Sequence, residues 1–184
     1  MSFLYFVWQE FSQASSIKIL ESPTLGIYNL SGSVSAQIIE EDIKSFGHIF
    51  SSVIESTNAP PTWNVLFLYC YIEPDGGVHE SHLGLREIIR VSGALIVVVA
   101  SENPAENYEA AAKDTGYGYA NLAMTLDRKG DKFPIFYQRL FTEMKQGVSM
   151  PVAWNKLAPQ IPGVDHIDSP DGFGVWGAGQ VAFK

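Results

Sequence analysis

Asn64-Val-Leu-Phe-Leu-Tyr-Cys-Tyr-Ile72, with Ala94-Leu-Ile-Val-Val-Val-Ala100 some twenty residues on, decides the architecture. Both runs are apolar at consecutive rather than alternate positions, the pattern of strands buried on both faces. Between them Glu73-Pro-Asp-Gly-Gly77 reads as a turn. Residues from about 80 to 92 read as a helix with Leu85, Ile88 and Ile89 inward, Arg86, Glu87 and Arg90 outward, and Gly93 as its stop. Strand, helix, strand at this spacing is a βαβ unit, which requires a parallel pair and a right-handed crossover. The expected fold is therefore α/β: a mostly parallel β-sheet flanked by helices in three layers, as a single domain over residues 1–184.

The flanks extend the pattern. Leu25-Gly-Ile-Tyr-Asn-Leu30 reads as a buried strand closed by Ser31-Gly-Ser-Val-Ser35. The next stretch predicts one long helix, because Ile39, Ile43, Phe46, Phe50 and Val53 form an apolar stripe while Gln37, Glu41, Lys44, His48 and Ser52 line the other side. Ser35 or Ser33 is its expected N-cap. Residues 3–11 and 17–20 predict two strands or a hairpin. Helices are expected from Ala105 to Asp114, from about Phe133 to Gly147 with Pro134 in the first turn, and from Ser149 with Val152, Ala153 and Leu157 on one side. Gly116-Tyr-Gly-Tyr119 gives no clear pattern, 159–171 reads as a proline-containing loop, and Phe173 to Phe183 as one closing strand.

Bulk properties exclude several function classes. With 184 residues, 46% hydrophobic and 17% charged, the chain can bury its own core. A net charge of -8 and no basic cluster beyond Arg128 and Lys129 argue against nucleic acid or anionic lipid as partner. The run 94–100 is far below the ~20 apolar residues of a membrane helix. Phe3 to Trp8 is too short, and lacks the basic lead, for a signal peptide. Cys70 is the only cysteine, so no intrachain disulfide forms and a reducing, cytoplasmic compartment is expected.

In such a sheet, ligands bind where loops gather at the carboxyl ends of the strands. That edge offers Ser31, Ser33, Asp75, His79, Ser101 and Glu102 as candidate ligand-binding residues. Cys70 and His79 are the candidate catalytic pair, since a thiol beside an imidazole becomes a nucleophile once its pKa falls. The alternative is that Cys70 is a small apolar filler, a common fate for free cysteine. His79 and His82 on one helix face would make half of a metal site, but no third ligand is evident and no metal is expected. Ser31-Gly-Ser-Val-Ser35 lacks the Gly-Lys-Ser/Thr of a P-loop and the three-glycine dinucleotide fingerprint, so it reads as ordinary capping, and no cofactor is expected. His48 and His166 read as surface residues.

Several pieces together resemble the CHAT group of caspase-like cysteine peptidases. These are the strand carrying Cys70, the helix Leu83-Gly-Leu-Arg-Glu-Ile-Ile-Arg-Val-Ser-Gly93, the strand 94–100, Phe136-Tyr-Gln-Arg-Leu140 with Gly147-Val-Ser149, and the final stretch with Trp176. The resemblance implies Cys70 as nucleophile and a histidine closing the preceding strand, where this chain has Ser31-Gly32-Ser33. Without that histidine the acid–base component, typically worth about 10²–10⁴-fold, is missing. A rival resemblance, to the Clp protease and crotonase superfold, rests on Gly26 to Leu30, Gly32, Val34, Gly76-Gly77 and Ser101. It implies Ser101 as nucleophile and a histidine near Leu126, which the chain lacks. The function expected is a degenerate, non-catalytic binding or regulatory domain acting through protein contacts, as a homo-oligomer or as inhibitor of a toxin or enzyme. The alternatives are a cysteine hydrolase using Cys70 and a small-molecule binder at the carboxyl edge.

Overall fold

The computed structural model describes residues 16–30, 32–56, 62–114, 120–125, 128, 130–158 and 172–184. A six-stranded sheet is formed by β2 (Thr24–Asn29), β3 (Ser52–Ser56), β4 (Val65–Tyr69), β5 (Ile96–Ala100), β6 (Asn121–Thr125) and β7 (Gly172–Trp176), in the order β3-β2-β4-β5-β6-β7. Every neighbouring pair is parallel except β6 with β7. A smaller parallel pair joins β1 (Lys18–Leu20) to β8 (Val181–Phe183). The mostly parallel α/β sheet flanked by helices is as expected.

Alternation along the strands sends side chains to two cores. On one side Val65, Phe67, Tyr69, Ile96 and Val98 pack with α1 (Ala36–Phe46), α4 (Lys132–Lys145), α5 (Met150–Leu157) and the β1–β8 pair. On the other, Leu66, Leu68, Cys70, Val97 and Val99 pack with α2 (Leu85–Ser92) and α3 (Ala105–Asp114). The consecutive apolar residues of β4 and β5 are thus the signature of a strand serving both cores. Aromatic edges fill the first: Phe67 meets Phe46 at 5.0 Å and Phe133 at 5.5 Å between ring centroids.

Three expectations need correction. The long helix stops at Gly47, whose N–H closes on Ile43 O at 3.0 Å, and the chain turns into the unforeseen strand β3. Phe50 and Val53 kept helical spacing because helix, turn and strand all bury onto the same core. The second helix begins at Leu85 rather than near 80. Asn121–Thr125 is a fully buried strand that the sequence reading did not identify. The closing strand is two strands: the chain turns through Ala178 and Gly179 (φ 72), and β7 and β8 join different sheets. The strand expected at 17–20 is β1, which pairs with β8; residues 3–11 lie outside the described residues.

Candidate functional site

The chain runs from β2 to the outer strand β3 and returns past β2 to β4, so strand order reverses between β2 and β4. Loops leaving these two strands diverge, and the crevice between their carboxyl ends is where ligands sit in open α/β sheets. Leu30 N–H donates to Tyr69 O at 2.8 Å and holds the two ends side by side.

The loop after β2 is built on Asn29. Its amide nitrogen donates to Val34 O at 2.9 Å, and its carbonyl oxygen accepts from Val34 N–H and Ser33 Oγ, both at 3.2 Å. Gly32 (φ 60) supplies the left-handed step between them. Ser35 is the N-cap of α1, accepting from Ile38 N–H at 3.4 Å. Ser31 lies outside the described residues.

Ser33 reaches Ser101, at the end of β5, with 3.2 Å between the hydroxyl oxygens. Ser101 is buried and also lies within hydrogen-bonding distance of Ala100 O. A hydroxyl has one proton, so Ser101 donates to one of these at a time. The pair latches the β2 loop onto β5; no imidazole contacts either hydroxyl among the described residues.

Cys70 turns away from this edge. It is fully buried between Leu68, Ile72, Val97 and the residues of α2 and α3, and that burial pushes its thiol up to about 12. A thiol so placed keeps its proton at neutral pH and is shielded from water. The backbone around it is fixed by Asn103, whose side chain accepts from Ile72 N–H at 2.5 Å and donates to Cys70 O at 3.1 Å. The same amide lies 3.0 Å from the Tyr108 hydroxyl, which donates to Thr125 O at 2.6 Å. Asn107 adds a bond to Ile72 O at 2.6 Å. These buried polar groups tie the ends of β4, β5 and β6 together.

Beyond Cys70 the chain emerges into solvent. Ile72 and Val78 bridge antiparallel, and Asp75 Oδ1 accepts from Gly77 N–H at 2.9 Å to make the turn between them. This small hairpin brings Glu73 onto His79 Nδ1 and sets the His79 ring against Tyr71, 6.3 Å between centroids. Glu80, a non-glycine in the left-handed region (φ 54), places a carboxylate oxygen 3.8 Å from Nε2. Glu102, Asp75 and His82 are exposed, and Tyr71 is 46% exposed. His79 and His82 precede α2, so they do not share a helix face. No group of three or more metal-ligating side chains occurs among the described residues.

The sequence reading passed over Tyr71, Glu73, Asn29, Asn103 and the buried Asp42–Arg128 pair. Asn29 and Asn103 carried a usable signal, since each polar amide closes an apolar strand where backbone groups need partners. His48 is exposed, and His166 lies outside the described residues. No described helix is long and apolar enough to cross a membrane. No family model, curated protein or solved structure matches this chain.

Proposed function

We propose that this chain is a non-catalytic, hydrolase-like domain that acts through protein contacts, in the cytoplasm, as a regulator or as the inhibitor of a toxin or enzyme. The observation that carries this reading is the placement of Cys70: the thiol sits in the core, where burial pushes it up to about 12. The ends of β2 and β4 lie side by side, where the resemblance to the caspase-like peptidases calls for base and nucleophile, and offer Ser33 and an inward-facing thiol instead.

What the edge presents is contact chemistry. Tyr71 stands half-exposed against His79, with Glu73 and Glu80 at that ring and Asp75 and Glu102 exposed. An exposed tyrosine among carboxylates suits a basic protein surface, and tyrosine is among the residues on which binding energy concentrates. No nucleic acid, membrane or cofactor enters this reading.

A second reading has one observation in its favour. Glu73 on His79 Nδ1 has the form of an orienting carboxylate on a general base, the arrangement a hydrolase uses. The deciding experiment assays purified protein on peptide and ester panels beside Cys70→Ala, Ser101→Ala and His79→Ala. No turnover above the variants supports the binding reading. Turnover abolished by Cys70→Ala or His79→Ala overturns it.

A further inference from the structure

We draw no further inference here: the strongest candidate, the exposed cluster of Tyr71, Glu73, His79 and Glu80 on the hairpin after β4, belongs to the site already described, and nothing in the structure shows what covers it.

Discussion

Arg128 lies against Asp42 across 86 positions of sequence, with Nε 3.0 Å from Oδ2 and the guanidinium forked over both carboxylate oxygens. Both side chains are buried, the Tyr69 hydroxyl donates to the same carboxylate, and the guanidinium covers the Phe133 ring at 4.6 Å. The pair staples α1 and β4 to the chain emerging from β6. Burial is the largest influence on Asp42 and pushes its carboxyl up, while Arg128 and Tyr69 act against it.

Removing one member leaves a buried charge alone, which typically costs about 3–5 kcal/mol. Asp42→Ala and Arg128→Ala are each expected to lose that much in urea unfolding. Asp42→Leu with Arg128→Met is expected to recover much of it, since desolvation offsets most of what a buried pair gains.

Asn103 is expected to be as sensitive without carrying a charge. Asn103→Ala strips partners from Ile72 N–H and Cys70 O in a buried site, and each orphaned group costs roughly 1–3 kcal/mol. Hydrogen exchange is the sharper readout: the Ile72 amide should lose its protection first, while β2 keeps its own.

Gly76 approaches α3 with φ 85, and a Cβ there would meet Ala111 N at 3.0 Å and Ala110 C at 3.1 Å, both backbone atoms that cannot step aside. Gly76→Ala is therefore expected to destabilise by about 1–3 kcal/mol. It should also displace the hairpin that carries His79, visible as a shifted His79 ring resonance by NMR.

Much of this fold was legible because burial on both faces leaves a plain mark. Val65–Tyr69 and Ile96–Ala100 are continuous apolar runs, and Gly93 and Gly147 fall where helices end. β3 was hidden because Phe50 and Val53 sit at helical intervals from Phe46, and β6 because Asn-Leu-Ala-Met-Thr has no β-branched run. The site was less legible. Pairing of Glu73 with His79 depends on the register of Ile72 with Val78, and that of Asp42 with Arg128 on the whole chain path; neither is encoded by local spacing.

The thiol also sets an alkaline limit. Cys70 keeps its proton in the folded chain up to about 12, whereas the unfolded thiol ionises near 9.0. Between those values the unfolded state binds fewer protons, so stability falls as pH rises, by about 1.4 kcal/mol per pH unit from this group. Tyr69 and Tyr137, both raised well above their ordinary value by burial, add to the decline. Cys70→Ala is expected to flatten the fall in denaturant midpoint between pH 9 and pH 11 relative to the parent, without changing the neutral-pH slope.

The central claim, that Cys70 is a core residue and not a nucleophile, is tested most directly by the rate of its alkylation in native protein from pH 5.5 to pH 9, with the urea-unfolded chain as reference. The account predicts protection by several orders of magnitude, with labelling governed by opening of the fold and rising to the reference rate only as urea unfolds it. Rapid labelling of the native chain near pH 6 would reveal an accessible thiolate, contradict the account, and return the cysteine hydrolase to first place.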